Sequence, residues 1–111
     1  MLLPFGEVVL IRINFHQTTG AKVPPAVVLL DTRDEDFVAA PITSQPRNST
    51  WDLAVEKWAS AWLNVASHIR VHKLAVLAKA YIVRSLGSLA VEDSERLSSL
   101  LCRVYCGEVQ T

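Results

Sequence analysis

The sequence is poor in the features that most often reveal a function. It has 2 cysteines in 111 residues, and its 11 basic and 11 acidic residues cancel. Cys102 and Cys106 lie four apart near the C-terminus. On a helix they share one side, where a crosslink between consecutive turns constrains little, and two thiols alone make a poor metal site. They are expected to be reduced, partly buried packing residues. The absence of net charge removes the simplest argument for nucleic-acid binding and leaves only a local basic face to look for. No apolar run is long enough for a membrane helix, and Lys79 interrupts the best one, "LAVLAKAYIV". The opening "MLLPFGEVVLI" lacks a basic leader region and is broken by Pro4 and Gly6, so it does not read as a signal peptide and a cytoplasmic protein is expected. In that setting "NST" at 48–50 has no meaning as a glycosylation site. There are no internal repeats and no low-complexity tracts.

What is present is a core. Half the residues are hydrophobic, which excludes a disordered linker, and the length suits a single domain over 1–111. "GEVVLIRINF" (6–15) is β-branched and reads as a strand, followed by a short buried run "AVVLLD" (26–31) and, after the charged turn "RDED", by "FVAAPI" (37–42). Residues 46–66 are less regular. "WDLAVEKW" supports a strand to about Glu56 and then a single-turn segment, although Trp58 and Trp62 at i and i+4 also suit one side of a helix. "SHIRVHKLAVL" (67–77) alternates, placing Ile69 and Val71 inward with Arg70 and His72 outward and side by side. "YIVRSLGSL" holds one more short strand. "VEDSERLSSLLCRVY" is a helix whose Leu97, Leu100, Leu101, Val104 and Tyr105 form one apolar stripe. Glu92, Asp93 and Glu95 suit the positive end of its dipole, and Gly107 suits its stop. Strands followed by a packing helix predict a β-rich α+β fold.

Taken in order, "GEVVLIRINF", "TGAKVPPAVVLL", "FVAAPITSQ", "HIRVHKL" and "RSLGSLAVEDSERL" resemble the PemK/MazF family of toxins from type II toxin–antitoxin systems. The resemblance implies a small SH3-like antiparallel barrel of the MazF/CcdB type with a C-terminal helix. It further implies a homodimer and a metal-independent endoribonuclease, without cofactor, that cleaves single-stranded RNA. A cognate antitoxin would occupy the RNA-binding groove. Two alternatives stay open: a family member that binds RNA or antitoxin without cleaving, and a gyrase-directed toxin of the same fold.

The resemblance also places a site. Cleavage through the 2′-hydroxyl needs a base, a cation for the phosphorane, and groups that hold the phosphate in line. Arg70 and His72 stand where some relatives carry Arg and Asp, and histidine is a chemically sensible base near neutral pH. Thr43 of "PITSQ" matches a threonine that positions the scissile phosphate, with Ser44 and Gln45 as further donors. Lys73 follows on the opposite side of the strand. The polar loop 14–24 corresponds to one that borders the substrate groove, so His16 and Lys22 join the substrate-binding candidates. Pro24 stands where the family usually carries Arg, and Lys22 is the nearest cation. His68 shares the outward side of Arg70 and reads as a bystander. Trp51, Trp58 and Trp62 are able to stack bases, but Trp58 and Trp62 read better as core or interface residues.

Overall fold

β-branched and aliphatic residues dominate most strands of the computed structural model, which describes residues 2–12 and 23–107. The strands are β1 (Glu7–Ile11), β2 (Pro25–Asp31), β3 (Asp36–Thr43), β4 (Asp52–Val55), β5 (Ser67–Arg70), β6 (Ala75–Ala78) and β7 (Ile82–Ser88), and the helix is α1 (Val91–Tyr105). They form one sheet in the order β4-β5-β3-β2-β1-β7, with β6 also paired to β3. Every pairing is antiparallel. The expected β-rich α+β architecture is therefore present, but the sheet is open: among the described residues β4 and β7 end the path without meeting.

The continuous apolar character of β1 and β2 has a direct cause. Successive side chains point to opposite faces, and both faces of these strands are covered. Val8, Val27 and Ala40 join Ile42, Ile69, Leu97 and Leu100 in one cluster, while Val9, Val28, Ala39 and Phe37 join Ile11 and Leu3 in another. Phe37 has no exposed surface, so its truncation to Ala would cost about 3–5 kcal/mol.

On the edge away from β2, strand β3 is shared between two partners. Its first half, Asp36 to Ala39, pairs with β6, and its end, Ile42 and Thr43, pairs with β5. Pro41 falls in the gap between them. A proline has no N–H for the ladder, and here the position demands none.

The segment 67–77 departs from the single strand expected of it. It is broken by a 3-10 turn over Val71–Lys73 between β5 and β6. The inward pattern survives, because Ile69 and Val71 are both fully buried. Helix α1 matches its expected span, with Leu97 and Leu100 buried, Leu101 and Val104 packed beside them, and Gly107 at φ 80° just past its end. Tyr105 is half exposed, yet its hydroxyl donates to the Val71 carbonyl.

Asp93 does more than face a helix dipole. It has no exposed surface and accepts the backbone N–H groups of Glu56 (3.1 Å) and Lys57 (2.9 Å) and the Arg96 guanidinium (2.9 Å). One carboxylate thus fastens the end of β4 to the first turn of α1. Cys102 and Cys106 form no disulfide, as expected, but both are exposed, which corrects the expectation that they are partly buried.

Candidate active site

Arg70 ends β5, and its side chain is fixed from below. Its Nε lies 3.0 Å from Asp52 Oδ1, across the register pair Asp52–Arg70 of β4 and β5. The Asp52 side chain is 1 % exposed and also accepts the Ser49 hydroxyl. Burial alone pushes the Asp52 carboxyl up, but the Ser49 hydroxyl, the Arg70 guanidinium and the nearby His72 together hold it below the usual carboxylate range. The ionised carboxylate orients the guanidinium, as a bound charge-assisted pair does. Arg70 Nη2 is then left 3.4 Å from His72 Nε2.

His72 reaches this position from the 3-10 turn, where it is exposed together with Lys73. Two long-range bonds shape that turn at the buried residue between Arg70 and His72: Val71 N donates to Trp51 O at 3.0 Å, and Val71 O accepts the Tyr105 hydroxyl. The expected neighbourhood of Arg70 and His72 is therefore present, although a turn and not a straight strand creates it.

Thr43 approaches from the adjacent strand. It pairs with His68 across β3 and β5, which makes it a diagonal neighbour of Arg70 on the same sheet face. Its Oγ accepts the Gln45 backbone N–H at 3.1 Å, the local turn-closing bond common for threonine. Gln45 in turn accepts from Arg47 Nη2. Thr43, Ser44 and Gln45 also line a groove of about 650 Å³, whose other wall includes Pro24, Pro25 and Trp62. Among the described residues no side chain lining this groove carries a charge. His16 and Lys22 lie outside the described residues. The predicted residues thus fall into two neighbouring groups, a cationic one around Arg70 and His72 and an uncharged one around Thr43, Ser44 and Gln45.

Two features of this region escape a reading of the sequence. Asp52 is one, although an acidic residue inside a strand is unusual enough to suggest a fixed partner. Trp62 is the other. Trp58 packs against the core as expected, but the 3-10 turn Trp58–Ala61 ends at Trp62 in a left-handed conformation, φ 63°, which turns the indole outward. It is 71 % exposed, so of the two places expected for Trp62, core and interface, it is not in the core. A left-handed non-glycine residue costs about 1–2 kcal/mol.

The sequence profile of the PemK-like, MazF-like toxin of type II toxin–antitoxin systems matches residues 5–105. The chain belongs to this family. A search among curated proteins finds no significant match. Among solved structures, an endoribonuclease from Mycobacterial species superposes with a TM-score of 0.73 at 14% identity, covering 99% of this chain and 98% of that one. The Mycobacterium tuberculosis toxin MazF-mt6 gives 0.73 at 16% identity, over 90% and 96% of the two chains. An endoribonuclease in complex with its cognate antitoxin, also Mycobacterial, gives 0.73 at 14% identity over 100% of both. At such identities the likeness is one of fold, and the PemK-like, MazF-like toxin fold is the open antiparallel sheet and C-terminal helix described above. Among the described residues this PemK/MazF chain has no helix long and apolar enough to cross a membrane and no cluster of three or more potential metal ligands.

Proposed function

We propose that this PemK/MazF-family chain is the toxin of a toxin–antitoxin pair and an endoribonuclease acting on single-stranded RNA. The observation that carries this reading is the contact of Arg70 Nη2 with His72 Nε2, with Arg70 anchored on buried Asp52 and Thr43 on the neighbouring strand. His72 takes the proton of a ribose 2′-hydroxyl, whose oxygen then attacks the adjacent phosphorus. Arg70, permanently charged, donates hydrogen bonds to the equatorial oxygens as negative charge builds there. The P–O5′ bond breaks, leaving a 2′,3′-cyclic phosphate on one product. The 5′-oxygen departs on the other and takes its proton from solvent. The nucleophile belongs to the substrate, so this chemistry requires no metal. Thr43 and its neighbours Ser44 and Gln45 position the phosphate, and Lys73, beside His72, meets the backbone of the bound strand. His16 and Lys22 complete the substrate contacts in this reading.

The partners follow from the same reading. A cognate antitoxin would compete for the groove, a proposal supported by family membership and by the structural neighbour that carries its own antitoxin. Two copies of the chain would form the working toxin, which light scattering at micromolar concentration tests. A second reading, a binder with weakened cleavage, is favoured by one observation: Pro24 lines the groove at the position where the resemblance places an Arg, and no charged side chain is among the described residues that line it.

A fluorogenic RNA assay decides between the readings. The wild-type protein is expected to cleave, His72→Ala to lose about 10²–10⁴-fold, and Arg70→Ala about 10²–10³-fold. Absence of cleavage by the wild type, with RNA still bound, returns the protein to the second reading. Cleavage unaffected by both substitutions removes Arg70 and His72 from the site.

A further inference from the structure

Trp62 puts a large aromatic side chain at a turn cap that more often falls to glycine. It is a non-glycine residue in the left-handed region, and it exposes 71 % of a large aromatic side chain. Its geometry is nevertheless fixed. Its backbone N–H bonds the Ala59 carbonyl at 3.0 Å, and the next amide, of Leu63, bonds Trp58 O at 3.1 Å, closing the turn on both sides. The indole lies against the backbone of Gly87 in β7. A Cβ at that position would come within 2.6 Å of Trp62 Cδ1, so the absence of a side chain there is what lets the ring settle so low. One edge of the ring is thereby supported, and most of its surface faces outward beside the groove that Thr43, Ser44 and Gln45 line. Backbone strain kept at such a place is a pointer to function.

The lining chemistry names the occupant. Among the described residues the lining carries no charge and is rich in apolar surface, and beside the groups that position the phosphate its hydroxyls and the amides of Gln45 and Asn64 can meet the polar edge of a flat heterocycle. An exposed indole beside such groups is how single-strand binders hold bases, because every base offers a π face. We propose that Trp62 is a stacking platform for an unpaired nucleobase of the RNA, a substrate-positioning residue beside the catalytic group. This rests on the endoribonuclease reading above. The base sits in the uncharged groove while the neighbouring phosphate lies toward Arg70 and His72, so stacking sets which nucleotide is presented for cleavage.

The test uses fluorescence titration of the whole protein, made inactive by His72→Ala, with two hexamers of equal charge: oligoriboadenylate, and an abasic ribose-phosphate chain. Adenylate is expected to quench the tryptophan emission, and the abasic chain is not. Trp62→Ala, at an exposed position where the fold tolerates change, is expected to weaken adenylate binding about five- to 150-fold and leave abasic binding unchanged, while Trp62→Phe recovers part of the loss. Gly87→Ala, which lifts the ring without removing it, is expected to weaken adenylate binding in the same direction. Thermal melting checks that each variant is folded. Equal loss with both hexamers, or none with either, overturns the platform while leaving the ribonuclease reading standing if Arg70→Ala still weakens binding. A Trp62→Ala protein that binds adenylate normally but changes its mass in solution assigns the indole to an interface between copies and overturns the proposal. Failure of the parent protein to bind either hexamer overturns both readings together.

Discussion

Replacing Asp93 by Ala separates a fastening role from a merely favourable charge. The carboxylate accepts three donors, the amides of Glu56 and Lys57 and the Arg96 guanidinium. Each amide left without a partner costs about 1–3 kcal/mol, and the lower half of that range applies because the turn at Glu56 and Lys57 is close to solvent. Arg96 loses little, since it is partly exposed and still bonds the Ala54 carbonyl at 3.0 Å. The void left by the carboxyl group adds about 1 kcal/mol, so with the two amides the expected destabilisation is about 3–5 kcal/mol. That is a large share of the 5–15 kcal/mol typical of a folded domain. With a urea dependence of about 1.5 kcal/mol per M, the midpoint should fall by about 2–3 M. Glu92→Ala is the control: Glu92 is exposed in the same first turn, where a dipole interaction contributes only about 0.3–1 kcal/mol. Asp93→Ala should also loosen the attachment of β4 and hence of Asp52. If the midpoints of the two variants agree within 0.3 M, by order of magnitude the dipole term alone, then Asp93 is not a fastener.

Three further outcomes are expected. The Asp31 carboxylate is held down to about 2 by Lys79 Nζ at 2.7 Å and by the amides of Leu3 and Arg33. Its folded value lies below its unfolded one, so its contribution is present above pH 3.8 and fades as pH falls towards 2; in melts followed by circular dichroism over that window, Asp31→Asn should lose less stability than the wild type, and equal losses refute the link. Tyr105→Phe removes the bond to Val71 O, so cleavage should fall several-fold while stability changes by about 0.5–1.5 kcal/mol; unchanged kcat would show that the turn holds His72 without it. Pro24→Arg should raise RNA cleavage by up to about 10²–10³-fold if a missing guanidinium limits the reaction, and no gain in the fluorogenic assay would show that the groove needs no cation at that point.

Local pattern was enough for some of this structure. The continuous apolar run of β2 and the spacing of Leu97, Leu100, Leu101 and Val104 report burial directly, and periodicity carries that information. The break at Val71–Lys73 was hidden because a strand and a tight turn both place Ile69 and Val71 inward. No glycine or proline marks it, and the bonds from Trp51 and Tyr105 that shape it come from distant parts of the chain. Asp93 was invisible for the same reason: its two amide partners lie 36 and 37 residues away, and nothing local tells it from Glu92. Helical spacing sets Trp62 beside Trp58, but the turn stops at Ala61, and the outward direction of the indole is set by the left-handed residue that ends it. Within the site, the closeness of Arg70 and His72 was readable from their spacing. The buried carboxylate that aims Arg70 needed the register of β4 against β5.

The uncharged lining of the groove has a consequence for ionic strength. A protein that grips RNA through many lysines and arginines releases the counterions condensed on the strand, and its affinity falls by a slope of about −0.7 in log units for every phosphate neutralised. Here the basic side chains grouped at the site among the described residues are Arg70, His72, Lys73 and, against Gln45, Arg47, and the side chains that line the groove itself carry no charge. A strand held mainly by its bases would shed few counterions on binding. Such a toxin would keep hold of its RNA in concentrated, crowded salt where basic binders let go, and would distinguish one strand from another by base identity more than by charge.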